Sequence, residues 1–276
     1  MTAAPLPRYR ATRWRRFAVS IVPILVAVGI WWVLTLLLDR PRVYPTPPVV
    51  AEALAQIASG EGEVGSTYVH IAATLFRLAV AFLVSLVVGT AIGILAGRVR
   101  IVFSLIENVL WVFLAVPSIV WVFLFAVAFG ISNVVPIAAM TALLTPMVIV
   151  NVAEGAKSVP SDLVEMARSY KVGRLQRTVE LFLPYLVPYI TSSARTAFAL
   201  GIKLVVVTEV VGLATGIGYE VKYWYTRLFM GPIVAWGIVM IVIGLVVDRL
   251  VFGPIERRVS RWKGPERGVQ IAGRIE

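Results

Sequence analysis

Long, nearly uninterrupted runs of apolar residues dominate this sequence of 276 residues. A helix that crosses the roughly 30 Å of bilayer hydrocarbon needs about 20 mostly apolar residues, because each helical residue advances about 1.5 Å. Apolar residues make up 59% of the chain and charged residues only 15%, more apolar material than a single packed core requires. The sequence therefore predicts an all-α membrane protein with about six transmembrane helices. Their predicted positions are 17–38, 71–97, 103–129 (broken by Pro117), 134–152, 189–213 and 233–252.

The composition also limits the chemistry available to the chain. There is no cysteine, and His70 is the one histidine. Thiol catalysis and a cysteine-built metal site are therefore excluded, and a histidine-built metal site is disfavoured. The aspartates have no histidine partner, and no glycine-rich phosphate loop is present. We predict a non-catalytic chain with no metal or cofactor of its own.

The positions of the 26 lysine and arginine residues predict the orientation of the helices. With a cytoplasmic N-terminus and alternating segments, 19 of these residues are cytoplasmic, four lie outside and three lie within spans. This excess agrees with the positive-inside rule, and six spans keep the basic C-terminus cytoplasmic as well. Attraction to anionic lipid then accounts for the net charge of +11, so we predict no nucleic-acid partner. The expected location is the plasma (inner) membrane.

The chain divides into one membrane domain with two polar segments inside it and a short basic stretch at each end. In the outer segment, Val50, Leu54 and Ile57 recur at helical spacing and predict a short amphipathic surface helix. In chain order, the parts are the basic N-terminus at 1–16, the transmembrane domain at 17–255, its outer segment at 39–70, its cytoplasmic loop at 153–187 and the basic tail at 256–276.

The cytoplasmic loop carries two short amphipathic helical patterns joined by a bend. In the first pattern, Leu163, Met166, Ala167 and Tyr170 fall on one face, and charged residues fall on the other. Amphipathicity alone leaves two interpretations open. The loop is either an interfacial hairpin resting on anionic lipid or a docking element for a cytoplasmic partner.

Three charged residues of the fifth span, Arg195, Lys203 and Glu209, are costly in a membrane unless they are paired or face water. Arg195 and Glu209 share a face but lie about 21 Å apart along the helix axis, so they cannot pair with each other. Either these residues pair with other helices, or Glu209 and Lys203 line a polar pathway in which Lys203 suits an anionic substrate group. We expect Arg77 to extend to the outer headgroups and His70 to lie at the membrane edge.

One run inside the cytoplasmic loop resembles a known family. The loop contains Glu165-Met166-Ala167-Arg168-Ser169-Tyr170, and Leu183-Pro184 follow eighteen and nineteen residues after the glutamate. This arrangement is similar to the EAA loop of ABC-importer permeases, especially those of the nitrate, sulfonate and taurine type. Further similar pieces follow in the same order over about residues 44–255. They are Tyr44-Pro45-Thr46-Pro47, Thr74-Leu75-Phe76-Arg77 with Gly89, Gly93 and Gly97, and Arg195 with Glu209 and Gly216-Ile217-Gly218-Tyr219.

Three positions depart from the family pattern. Lys171 stands where the family has a glycine, and Gly173 lies two residues later. The segment around Pro117 keeps the first proline of the family's segment but lacks the second and the preceding arginine. Lys203 stands where an apolar residue is usual.

The resemblance implies a type I ABC-importer permease fold and a set of partners. These are a second permease copy, two cytoplasmic ATPase subunits that bind ATP and Mg, an extracytoplasmic substrate-binding protein and membrane lipid. The transported solute would be a small sulfonate-, taurine- or nitrate-like anion. The residues implied to couple to the ATPase are Glu165, Ala167, Arg168, Tyr170, Lys171, Gly173, Leu183 and Pro184. The candidate pathway residues are Pro117, Ser118, Trp121, Lys203 and Glu209.

Two other classes remain as alternatives. An ATP-independent secondary transporter or channel would predict an inverted repeat and ionisable clusters near the membrane midplane, and we find no convincing repeat between the two halves. An integral-membrane enzyme would need clustered histidine or acidic residues at one membrane face, which the sequence does not supply.

Overall fold

The computed structural model describes residues 13–38, 40, 42–211 and 213–260. Most of the two basic ends predicted at 1–16 and 256–276 therefore lies outside the described residues. The described chain is helical except for one short hairpin of strands β1 (Glu61–Gly62) and β2 (Gly65–Ser66). Its helices are α1 (Arg13–Leu38), α2 (Pro47–Ser59), α3 (Thr67–Arg98), α4 (Arg100–Ala115), α5 (Ser118–Phe129), α6 (Val134–Lys157), α7 (Ser161–Ser169), α8 (Arg174–Arg177), α9 (Leu183–Val210), α10 (Ile217–Thr226), α11 (Met230–Val247) and α12 (Gly253–Ser260). Two π-helical turns, Thr178–Phe182 and Asp248–Phe252, precede α9 and α12.

The long helices confirm an all-α membrane fold. Four helical stretches in the described residues are long and apolar enough to cross a membrane, and the pair α4 and α5 makes a fifth if it counts as one span. Helix α1 adds a shorter apolar stretch, Leu25–Leu38. The fifth predicted span begins earlier than expected, at Leu183, because Pro184 lies in the first helical turn, where a missing N–H costs no hydrogen bond.

The third predicted span is not a straight helix. Pro117 separates α4 from α5, and the two helices meet at an angle of 97°. A proline is compatible with this break because it lacks the N–H that a continuous helix would use. Val122 of α5 then packs against Val135 and Ala139 of α6, which anchors the second half of the broken pair.

The centre of the bundle is a close contact between α3 and α6. Gly89, Gly93 and Gly97 lie along the face of α3 that meets α6, as a ridge of small residues predicts. A Cβ atom at Gly93 would lie 2.9 Å from the Ile149 carbonyl oxygen and 2.8 Å from Val152 Cβ. The two backbones therefore approach as closely as they do because these positions carry no side chain.

The bundle has two polar ends that differ in charge. We call one the basic end, because α3 and α6 finish there at Arg98 and Lys157 and α7 follows. At the opposite end, α2 packs Val50 and Ala53 against Ala235 of α11, as expected for an amphipathic helix. The β1–β2 hairpin, the start of α3 and helix α10 lie at the opposite end as well.

Candidate functional site

Helix α7 at the basic end presents most of its motif residues to the outside. Glu165, Arg168 and Tyr170 are exposed, and Tyr170 is 79% accessible. Ala167 is buried, while Met166 is exposed although the helical pattern placed it with Ala167. This short helix therefore displays a carboxylate, a guanidinium and an aromatic ring together.

Lys171, at the position where the family has a glycine, forms the turn that ends α7. Lys171 has a φ of 52°, in the left-handed region, where its N–H donates to the Arg168 carbonyl at 2.9 Å. The N–H of Val172 donates to the Ala167 carbonyl at 3.0 Å. This pair of bonds is a Schellman cap, which usually has glycine at the left-handed position. Gly173 has open space where a Cβ atom would lie and does not adopt a left-handed conformation, so the bend depends on Lys171 instead.

Replacing Lys171 by glycine should therefore stabilise the end of α7. A left-handed conformation costs a residue with a Cβ more than it costs glycine, and we expect a gain of about 0.5–1 kcal/mol. Amide hydrogen exchange in α7 should slow about two- to five-fold. Ser169→Gly, two residues earlier and in helical conformation, should speed exchange instead. Faster exchange in Lys171→Gly would contradict this account of the cap.

The last two motif residues, Leu183 and Pro184, begin α9 and are exposed. Behind them, the Tyr185 hydroxyl donates to the Ser158 carbonyl at 3.2 Å, and the Ser158 hydroxyl donates to the Tyr189 hydroxyl at 3.0 Å. These bonds connect the start of α9 to the end of α6. The loop that carries α7 is thus attached at both of its ends to membrane-length helices.

A buried ion pair near the opposite end connects α3 to α9. Arg77 Nη1 donates to Glu209 Oε1 at 2.6 Å, and both side chains are almost inaccessible. The remaining guanidinium hydrogens go to Asn133 Oδ1 and to the carbonyl and hydroxyl of Thr215. Every Arg77 nitrogen therefore has a partner, which a buried charge requires.

The same group of side chains satisfies the first backbone donors of α10. Gly216 N–H donates to His70 Nδ1 at 3.1 Å, Ile217 N–H to Thr74 Oγ1 at 2.8 Å and Gly218 N–H to Glu209 Oε2 at 2.9 Å. A helix start leaves such donors unpaired and favours a negative charge nearby. Helix α10 is therefore positioned by residues of α3 and α9.

Glu220 of α10 lies beside this network. It is 3% exposed, its Oε2 accepts from Trp224 Nε1 at 3.1 Å, and its Oε1 lies 3.5 Å from His70 Nε2. Burial raises the pKa of the Glu220 carboxyl above its ordinary value, while His70 and the Trp224 indole act in the opposite direction.

Two expectations for these residues are wrong. Arg77 does not extend to headgroups, because it is buried against Glu209. His70 is buried, at 3% exposure, and accepts a backbone hydrogen bond rather than lying at an interface. For Glu209 the structure shows one of the two alternatives, pairing with another helix: it is 0% exposed, and Arg77, Thr74 and the α10 backbone surround it. Its place in a transport pathway stays a prediction.

Arg195 does pair with other helical segments. Its guanidinium donates to both oxygens of Asp248, at 2.7 and 2.9 Å, and to Glu256 at 2.8 Å. The pairing connects α9 to the turn before α12 and to α12 itself at the basic end. Arg195 and Glu209 are therefore separate, as their spacing along α9 requires.

The candidate pathway residues around the bend lie on the α4–α5 pair. Pro117 and Ser118 form the bend, and Trp121 stacks on Phe113 with ring centroids 4.5 Å apart. Trp121 Nε1 is buried and has no hydrogen-bond partner among the described residues. The stack attaches the two arms of the bent pair to each other.

Lys203 lies elsewhere, in an apolar groove of about 530 Å³ formed by α9, α10 and α11. The side chain is exposed, and no ion pair of the described residues includes it. Trp236 and Met240 of α11 and Val221 of α10 line the same groove. The result is one cation on an otherwise apolar wall.

The sequence does not show which residues pair in the network around Arg77 and Glu209. Asn133 and Thr215 are ordinary loop residues in the sequence, and Thr74 lies within an apolar run. The two charges are 132 residues apart, so only the fold brings them together. A polar or charged residue inside a membrane-length helix was the one available signal, and it does not specify a partner.

The fold and the exposed loop helix define a class of protein: a multi-pass membrane permease. The family described as binding-protein-dependent transport system inner membrane component matches residues 89–261. This match covers more than half of the chain, so the protein belongs to that family and is the permease subunit of an ABC importer, of the nitrate, sulfonate and taurine type. Such subunits are non-catalytic, and the ATPase is a separate subunit.

The curated relatives and solved structures agree with this assignment. The chain is 28% identical over 257 residues to the taurine transport system permease protein TauC of Escherichia coli (strain K12), covering 91% of this chain and 93% of the relative. It is 29% identical over 252 residues to the nitrate import permease protein NrtB of Leptolyngbya laminosa, covering 89% and 88%. A solved amino acid ABC transporter superposes with a TM-score of 0.59 at 17% identity, over 75% of this chain and 96% of that chain, which shows the shared fold.

Proposed function

We propose that this permease imports a small organic or inorganic anion across the plasma membrane by alternating access. Relatives are named for taurine, nitrate, bicarbonate and aliphatic sulfonates, which all contain an anionic group. The orientation that fits the basic residues has both termini and the basic end in the cytoplasm. Two copies of this chain would then form the pathway, with two ATPase subunits below and a substrate-binding protein above.

The observation that carries the proposal is the exposed face of α7. Glu165, Arg168 and Tyr170 are exposed on a short helix whose loop begins at the end of α6 and ends at the start of α9, two sites that the Tyr185 and Ser158 hydroxyls connect. Movement of a partner bound to this face would be transmitted to α6 and α9, because the loop is attached to both. In alternating access, such a movement would tilt the membrane helices as semi-rigid units. The α7 face therefore has the features needed to couple an ATPase to the pathway.

Lys203 is the residue that we propose to attract the anion. It is a cation without an ion-pair partner in the described residues, on the wall of a groove and about two turns before the end of α9. A lysine ammonium suits a sulfonate, carboxylate or nitrate oxygen as a point charge with three donors. Glu209 has no part in this proposal, because it is buried with Arg77.

The test uses the complex copurified from its native host and reconstituted in proteoliposomes, with uptake and ATP hydrolysis measured together. Glu165→Lys reverses a charge on the docking face and should lower uptake of labelled taurine, an alkanesulfonate or nitrate about ten-fold or more. Basal ATP hydrolysis and membrane insertion should remain. Lys203→Met should instead raise the half-saturating solute concentration about ten-fold, with uptake still dependent on ATP.

The matched control is Glu180→Lys, the same reversal on the same loop at an exposed residue outside α7. It should transport like the unmodified complex. If Glu165→Lys also transports normally, the docking face is not α7. A homo-oligomer that copurifies with no ATPase after cross-linking would favour an ATP-independent transporter.

A further inference from the structure

A large cavity lies at the basic end, beside the loop helix. It has a volume of about 1060 Å³ and is formed where α3 passes into α4, next to the end of α6 and the inner side of α7. Its walls include the aromatic side chains of Phe103 and Phe182. Of the residues implied to couple to the ATPase, only Arg168 reaches it, and the groove around Lys203 lies apart from it. The proposed transport role therefore does not account for this cavity.

The charges that line this cavity are strongly unbalanced. Glu107 is the one carboxylate of the described lining, against five cations. The five cations are Arg98, Arg100, Lys157, Arg168 and Arg177. A cavity that concentrates like charges in this way is stabilised by a bound anion.

Aromatic rings hold two of the cations in place. Lys157 Nζ lies 3.2 Å from the centroid of the Phe103 ring, and Arg98 Cζ lies 3.8 Å from that of Phe182. Cation–π contacts of this kind orient a cation. The positive charges of Lys157 and Arg98 therefore have defined places in the wall of the cavity.

An apolar ridge runs from the rim of the cavity along α4. Ile101 and Leu105 are 73% and 72% exposed, and they adjoin the cavity residues Arg100 and Ser104 in the chain. The ridge continues with the exposed Val109. Because these residues lie at i, i+4 and i+8, they form one stripe on the helix. A basic cavity with an apolar stripe leading away from it matches a molecule with an anionic head and apolar chains.

We propose that this cavity binds a phosphate group, and that the adjoining stripe on α4 accommodates the chains of an anionic phospholipid. Arginine and lysine are the side chains that bind phosphate oxygens best, and each basic residue near an anionic lipid surface contributes about 1 kcal/mol. Arg168 also lies on the proposed docking face of α7, but the other four cations do not, so the inference does not depend on the proposed solute.

The experiment measures lipid retained by the full-length chain, purified in neutral detergent, by native mass spectrometry. The detergent contains equal amounts of phosphatidylglycerol and phosphatidylcholine. Arg100→Gln/Lys157→Gln should retain phosphatidylglycerol about 30-fold less tightly than the unmodified chain. The control Arg249→Gln/Arg258→Gln removes the same charge from exposed residues outside the cavity and should differ by less than about three-fold.

A second arm distinguishes the source of the phosphate. The same three proteins are titrated with inorganic phosphate in lipid-free detergent. Phosphate binding that the cavity variant loses, without selective retention of phosphatidylglycerol, would support the site with soluble phosphate as its ligand. Equal retention of phosphatidylglycerol by cavity variant and control, with no phosphate binding by either, would overturn the proposal. Should the double variant fail to fold, Arg100→Gln alone, at an exposed residue, replaces it.

Discussion

Replacing Glu209 by methionine is expected to destabilise the folded chain by about 3–5 kcal/mol. The substitution leaves the Arg77 guanidinium buried without its charge partner, 2.6 Å from where the carboxylate was. It also removes the acceptor of the Gly218 N–H at the start of α10. The measurement is the free energy of unfolding in mixed micelles, from a denaturing-detergent titration. A loss of this size should also lower the yield of folded protein.

The double variant Arg77→Met/Glu209→Met measures how much of this loss comes from the unpaired charge of Arg77. With both charges removed, no unpaired charge remains, and part of the lost stability should return. The matched control is Arg195→Met, which breaks a bidentate pair with Asp248 at exposed positions and should cost much less. If the single and double variants lose the same stability, the buried pair does not hold α3 to α9.

Gly93→Leu is expected to prevent α3 and α6 from packing as they do. Even the first carbon of the new side chain would lie 2.9 Å from the Ile149 carbonyl oxygen, which belongs to the α6 backbone and cannot rotate away. Overpacking in a rigid core costs about 1–3 kcal/mol or more, and here two whole helices must separate. Thermal unfolding in detergent should show a large loss of stability.

Gly29→Leu is the control for this substitution. It introduces the same side chain in another apolar helix, α1, where no atom lies within 4 Å of the added Cβ. Its stability should match or exceed that of the unmodified chain, because leucine favours the helix more than glycine does. A Gly93→Leu variant as stable as Gly29→Leu would mean that α3 and α6 are not in backbone contact.

Arg77, His70 and Glu209 lie in one buried environment, which is why the expectations for Arg77 and His70 are wrong. Each is polar or charged near the end of a membrane-length helix, and in isolation such a residue is expected to reach an interface. In the folded chain, α3 and α9 lie together and the turn before α10 packs between them. The three residues therefore satisfy one another and the α10 backbone instead of water or lipid.

At Lys171, the structure adopts a backbone conformation that the residue type disfavours. Lys171 stands where the family has a glycine, and a residue with a Cβ disfavours the left-handed backbone conformation. The backbone nonetheless adopts the left-handed cap that glycine would favour, because the hydrogen bonds to Ala167 and Arg168 close the helix in that conformation. Lysine in place of glycine therefore raises the free energy of the turn but does not prevent its left-handed conformation.

The sequence by itself determined the class of this protein. Helix positions, the break at Pro117, the packing role of Gly89, Gly93 and Gly97 and the family all follow from local features, because hydropathy, proline and small-residue spacing act within a few turns of helix. Only the tertiary structure decided that Glu209 pairs with Arg77, that Ala167 is buried while Met166 is exposed and that five cations line one cavity. These relations join residues far apart in the chain, and their energies depend on burial and distance, which a linear pattern does not contain.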